Sequence, residues 1–174
     1  MPSNIEIKAR ITSIESVAPI VQTIATSGPE EILQDDTFFP CPNGRLKLRM
    51  FSAEAGELIF YQREDSAGPK QSSYVLAHTV EPEALRHALT LAYGDAGRVI
   101  KRRSLYHVDR TRVHLDRVEG LGEFLELEVV MREGEDAETG ISVAEQLLVR
   151  LGIESTQLVT GAYVDMLRSG TTED

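Results

Sequence analysis

Six stretches of the chain alternate apolar and polar residues with a period of two, the signature of strands buried on one face. They are residues 4 to 11 (NIEIKARI), 44 to 51 (GRLKLRMF), 57 to 63 (ELIFYQR), 99 to 107 (VIKRRSLYH), 110 to 118 (RTRVHLDRV) and 123 to 131 (EFLELEVVM). A seventh strand is expected over 73 to 79. Four other stretches carry helix signals. Residues 14 to 25 follow Ser13 as an N-cap, with Pro19 inside; residues 82 to 93 open on Pro and Glu and stop at Gly94. Residues 143 to 151 follow Ser142 and stop at Gly152, and 162 to 168 form a short last helix. The connections FPCPNG (39 to 44) and EDSAGPKQ (64 to 71) have turn composition. Strands in neighbouring hairpins with helices between the groups predict one antiparallel α+β domain over 1 to 170, followed by a short tail, 171 to 174.

Residues i, i+2 and i+4 of a strand share a face, so each stretch divides into two sides. The first puts Ile5, Ile7, Ala9 and Ile11 opposite Asn4, Glu6, Lys8 and Arg10; the second puts Leu46, Leu48 and Met50 opposite Arg45, Lys47 and Arg49. Lys101 and Arg103 share a side, as do Arg110, Arg112, His114 and Asp116, while Glu126 and Glu128 oppose Leu125, Leu127, Val129 and Met131. With Arg63 closing the third strand, ten of the eighteen basic residues lie on these polar sides of a chain whose net charge is -10. The acidic balance argues against nucleic acid and anionic membranes as partners. An ordinary solvated face would mix Lys, Glu, Thr and Ser. Here two or three cations recur on successive strands, and two such charges about 6 Å apart repel by about 3 kcal/mol at an effective dielectric near 20. An anion is therefore expected among them. Guanidinium and ammonium groups suit phosphate oxygens, and the acids on the same sides, Glu6, Glu126 and Glu128, are hard ligands for Mg²⁺ or Mn²⁺. The pattern points to a polyphosphate with a divalent cation.

Other features narrow the picture further. No apolar run approaches the roughly 20 residues of a membrane helix. The opening MPSNIEIKAR shows no secretory pattern, and a lone cysteine fits a reducing compartment, so a cytoplasmic location is expected. Cys41 reads as an inert loop residue and 133 to 138 as a solvated acidic loop. The four histidines lack the close pairing of a zinc site, although His114, in phase with Arg112, is placed to line a cavity. Lys70 could reach a phosphate from the rim. There is no G-x-x-x-x-G-K-[ST] loop.

Taken in order, these blocks resemble the CYTH superfamily, the triphosphate tunnel metalloenzymes that include class IV adenylyl cyclases and thiamine triphosphatases. The family signature E-x-E-x-K stands here as Asn4-Ile5-Glu6-Ile7-Lys8. LKLR at 46 to 49, the Arg63 strand with AGPKQSSY at 67 to 74, KRRSLY at 101 to 106, VHLDRVEGLGEFLELEV at 113 to 129 and AYVDML at 162 to 167 follow, most like the bacterial cyclase-like branch. The resemblance implies an eight-stranded antiparallel β-barrel, open as a tunnel with a polar, basic interior and helices packed outside. It implies that Glu6, Glu126 and Glu128 bind Mg²⁺ or Mn²⁺, with Asn4, where the family has its first glutamate, as a further ligand. Lys8, Lys47, Arg49, Arg63, Lys101, Arg103 and Arg112 would hold the triphosphate, with Lys8, Glu6 and Asp116 in the catalytic set. The substrate would be ATP, inorganic triphosphate or thiamine triphosphate, and the enzyme a CYTH-type triphosphatase or a class IV adenylyl cyclase, between which the sequence does not choose. A homodimer fits the resemblance. A triphosphate- or polyphosphate-binding module without turnover is the alternative, motivated by Asn4.

Overall fold

The computed structural model describes residues 1–170; the expected tail lies outside them. Among the described residues the strands are β1 (Ser3–Arg10), β2 (Ser27–Phe39), β3 (Arg45–Ser52), β4 (Ala55–Arg63), β5 (Lys70–Thr79), β6 (Arg98–Val108), β7 (Thr111–Val118) and β8 (Gly122–Val130). They close into a barrel in the order β1-β5-β4-β3-β2-β6-β7-β8, every neighbouring pair antiparallel. Closure gives every strand a neighbour on both sides, although β2 pairs with β3 only over Asp35–Phe39 and β5 with β1 only over Lys70–Ser73.

The alternation read from the sequence is real, but its apolar side faces outward. Ile5, Ile7, Val113, Leu115, Leu125, Leu127 and Val129 are almost fully buried beneath two helices, α1 (Ile14–Ile24) and α3 (Ala137–Arg150), which contribute Val17, Val21, Ala144 and Leu147. The polar side turns into the barrel. Ser13 caps α1 by accepting from the Ser16 amide at 3.2 Å. The start of α3 differs from expectation: Asp136, not Ser142, is the cap, accepting from the Thr139 amide at 2.9 Å. The stretch expected as a solvated acidic loop is thus partly structural, and Glu135 within it accepts from Arg110 at 2.5 and 2.8 Å. Gly140 lets α3 approach β1: a Cβ there would stand 2.6 Å from Ile5 and 2.5 Å from Met131.

β2 is the strand that the hydropathy pattern does not predict. Its inward residues include Gln34 and Asp36, both buried, while Leu33 on its outer side is 54% exposed. Apolar and polar residues occupy both faces, so the period-two contrast cancels. On the outside Asp35 accepts from Arg98 at 2.5 and 2.7 Å and from Arg86 of α2 (Pro82–Tyr93) at 3.4 Å.

The barrel has two unlike ends. At one, the inward-facing Phe38, Val99, Val118 and Phe124 gather under α4 (Tyr163–Ser169), whose Tyr163 and Val164 complete a buried apolar cluster. The rings of Tyr163 and Phe124 meet edge to face with centroids 4.9 Å apart. Arg45 ties α4 to β3 through Asp165 at 2.7 and 3.2 Å. The other end is the mouth of the cavity.

Candidate functional site

The barrel encloses a cavity of about 390 Å³. Lys8, Lys47, Arg49, Arg63, Lys101, Arg103 and Arg112 all line it, brought from β1, β3, β4, β6 and β7, together with Asn4, Glu6, His114, Glu126, Glu128 and Tyr163. Three of the ten cations counted on polar sides lie elsewhere. Arg10 is exposed, stacks 4.6 Å over Phe124 and donates to the Leu121 carbonyl; Arg45 is held by Asp165 and Asp65; Arg110 is held by Glu135. Lys70 is buried but spends its ammonium on the Ser66 carbonyl at 2.8 Å, and Cys41 is a free thiol in the 39 to 44 loop.

The cations inside are not bare, contrary to the repulsion expected from sequence. Each has a carboxylate within 4.0 Å: Arg63 with Glu6, Lys8 with Glu126, Arg103 with Asp116 and Glu126, Arg112 with Glu128, and Lys47, Arg49 and Lys101 with Asp36. With Glu57, which also lines the cavity, six carboxylates stand against seven cations. Two unsatisfied groups are informative. Arg63, whose side chain is 5% exposed, donates Nη1 to Glu6 at 3.2 Å, while its Nε and Nη2 have no partner; these are buried donors awaiting an acceptor. His114 Nδ1, also buried, makes no hydrogen bond, with Glu126 Oε2 standing 3.6 Å away.

The acids and His114 form the other half. Strand register sets Glu6 opposite Glu128, Lys8 opposite Glu126 and His114 opposite Glu126, so their side chains share the inner face. His114, Glu126 and Glu128 bring one ligand atom each to within 4.8 Å of one another. An imidazole nitrogen and two carboxylates, one nitrogen unsatisfied, fit a divalent cation. Burial and Arg103 lower the pKa of His114, which keeps its ring neutral and its lone pair available. Burial raises Glu6, as do Glu128 and Glu126, to about 7. Burial opposes ionisation of Glu126, yet Lys8, His114 and Arg103 together hold it well below the ordinary carboxylate range.

Asp116 stands one layer behind the cavity wall. Fully buried, it accepts from Arg103 Nε and Nη2 at 2.7 and 2.8 Å and from the Tyr163 hydroxyl at 2.9 Å. That geometry makes it a positioning residue for Arg103. Asn4, with its amide turned to satisfy both ends, accepts from Arg112 at 3.0 Å and donates to the Ser3 carbonyl at 3.1 Å. Sequence reasoning missed Asp36 and Gln34, because β2 lacks alternation, and gave no role to Tyr163, over whose ring Lys8 Nζ sits at 3.8 Å. The AYVDML block was the only signal for that tyrosine. Toward the mouth the lining gains apolar residues, Ile32, Phe51, Leu76 and Leu105, alongside Tyr74 and the carboxylate of Glu57.

A closed barrel with a cationic, acid-bearing interior has known relatives. The model of the CYTH domain matches residues 3–163. The chain belongs to the CYTH domain family. The adenylate cyclase CyaB of Aeromonas hydrophila is 26% identical over 171 residues, which cover 91% of this chain and 85% of that protein. Among solved structures, the PH1012 protein of Pyrococcus horikoshii OT3 superposes with a TM-score of 0.84 at 22% identity, covering 94% of this chain and 99% of that one. HpAC1 from Hippeastrum, described with a dominant triphosphatase activity, superposes with a TM-score of 0.69 at 16% identity over 98% of this chain and 96% of its own. These likenesses establish the CYTH barrel; the interior chemistry is argued from this chain's residues.

Proposed function

We propose that this CYTH protein is a divalent-metal-dependent hydrolase of organic triphosphates. The observation that carries the reading is Arg63: two buried guanidinium donors without acceptors, in a wall whose cations exceed its carboxylates. A phosphate chain supplies oxygens in the number and spacing such a ring requires, and guanidinium forks bind them bidentately. Glu126, Glu128 and His114, with Glu6 beside them, would hold Mg²⁺ or Mn²⁺. An ion held there would supply neutralisation of the charge that develops as a phosphorus–oxygen bond breaks. Around it, Lys8 is held between Glu126 and the Tyr163 ring, and Arg103 is fixed by Asp116, so both cations are pre-oriented before substrate arrives. The apolar mouth favours an organic group over a bare inorganic triphosphate. Cyclisation would require the ribose to be folded back and held at the mouth, where Glu57 and Tyr74 are the polar groups among Ile32, Phe51, Leu76 and Leu105; attack by water makes no such demand.

The names of the Aeromonas and Hippeastrum relatives support a triphosphate substrate. The test is incubation with Mg²⁺ or Mn²⁺ and ATP, inorganic triphosphate or thiamine triphosphate, with products separated by chromatography. Orthophosphate and the matching diphosphate are expected. Cyclic nucleotide with pyrophosphate would overturn the choice of hydrolysis, and binding without turnover would favour a triphosphate-holding module.

A further inference from the structure

Asp36 belongs to the strand that sequence patterning does not reveal, and its carboxylate is 1% exposed. β2 lies between β3 and β6 in the barrel, and Asp36 pairs across to Arg49 on one side and Val99 on the other. Its Oδ2 accepts from Lys47 Nζ at 2.9 Å and from Arg49 Nη2 at 2.8 Å, its Oδ1 accepts from Arg49 Nε at 2.8 Å, and Lys101 Nζ stands 4.0 Å away. Among the described residues these three cations have no other carboxylate within ion-pair distance, whereas Lys8, Arg63, Arg103 and Arg112 pair with Glu6, Glu126, Glu128 or Asp116. The cationic lining therefore has two halves. One shares its carboxylates with the acidic cluster, and the other depends on Asp36 alone.

We propose that Asp36 is a positioning residue for polyphosphate binding: a fixed internal counter-anion that orients Lys47, Arg49 and Lys101 and keeps their hold on the phosphate chain from becoming too tight. The inference rests on the triphosphate reading. Arg49 spends one edge of its fork, Nε and Nη2, on Asp36, which fixes the plane of the guanidinium in the cavity wall. Asp36 itself does not line the cavity, so it touches the cations and not the ligand. Its charge still opposes a bound anion. A group that binds substrate and product alike gains nothing for turnover by binding both more tightly. Orientation and affinity are thus set by one carboxylate, in opposite directions.

The test separates them. Asp36→Asn keeps the shape and removes the charge, so the affinity for inorganic triphosphate, measured by calorimetry without metal, should tighten about tenfold. In Mn²⁺-supported turnover kcat should fall by about tenfold or more, with a lower KM. Asp36→Glu keeps the charge but displaces the carboxylate, so kcat should fall without tighter binding. A merely structural role would lower the melting temperature and leave this KM-against-kcat split absent. Wild-type constants, or weaker binding, in a folded Asp36→Asn overturn the proposal. Should that variant fail to fold, wild-type kcat in Asp36→Glu overturns it. If the wild-type protein neither binds inorganic triphosphate nor turns over any triphosphate, the triphosphate reading falls, and this inference with it. If the wild type does both and the variants match it, only the role of Asp36 falls.

Discussion

Lys47 carries its charge at a cost that pH exposes. Burial and the neighbouring Arg49 pull its ammonium down to about 8, against the Asp36 carboxylate, from an unfolded value near 10.4. Between those values the unfolded chain holds the proton and the folded chain does not, so fold stability rises with pH from about 8 to about 10, by an amount on the order of 3 kcal/mol. Ligand affinity moves the other way, because only the charged form attracts phosphate. In the metal-free protein, affinity for inorganic triphosphate should fall as pH rises through about 8, with proton uptake on binding. Calorimetry in two buffers of different ionisation heat measures both, and Lys47→Met should reduce the uptake, with the buried Lys101 and Lys8, whose ammonium groups are also pulled down by burial, accounting for the remainder. His114 makes a second prediction at this scale. An imidazole in the ligand set suits Mn²⁺ better than Mg²⁺, so His114→Gln should weaken Mn²⁺ binding severalfold in a titration followed by electron paramagnetic resonance and change Mg²⁺ affinity less. Equal losses for both ions would remove His114 from the ligand set.

At the level of elements, seven of the eight strands were read from sequence, most sharply those with one apolar and one charged side, β1, β3, β7 and β8; β4, β5 and β6 were read as well, and β2 was not. Their periodicity gave the boundaries and the separation of faces. It could not say which face turned inward, since an apolar-in sandwich and an apolar-out barrel have the same alternation; that came from the crowding of cations and from the family blocks. β2 was illegible because Gln34 and Asp36 inside and Leu33 outside cancel the pattern. Its loss hid the counter-anion of three site residues. The early start of α3 was equally hidden, since Asp136 sits in an acidic run that resembles loop composition. The close seat of that helix on β1 is testable. Gly140→Ala places a methyl group against Ile5 and Met131, so overpacking should cost about 1–3 kcal/mol. At about 2–4 °C per kcal/mol for a chain of this size, the melting temperature should drop by about 2–12 °C in calorimetry. An unchanged transition would mean that α3 is free to shift away from the barrel.

The barrel turns a belt of charged groups inward between an apolar end and the mouth, so its interior can be stabilised by what fills it. A ligand at a hundred times its dissociation constant adds about 2.7 kcal/mol, which for this chain length amounts to about 5–11 °C. Inorganic triphosphate should produce that rise and sulfate much less; no rise with triphosphate, with or without Mn²⁺, would contradict a polyphosphate site. The apolar cluster of Phe38, Val99, Val118, Phe124 and Tyr163 has a consequence for traffic. That cluster narrows one end of the barrel, so a ligand is expected to enter and leave by the mouth. Under the proposed reading, a phosphate chain among the cations would lie deeper than an organic group beside Ile32, Phe51, Leu76 and Leu105. If hydrolysis proceeds as proposed, the inner fragment could not pass the outer one, and departure should be ordered: the organic diphosphate first, orthophosphate last. Orthophosphate should then inhibit competitively against the substrate and the diphosphate product noncompetitively, a pattern that initial-rate measurements distinguish from random release.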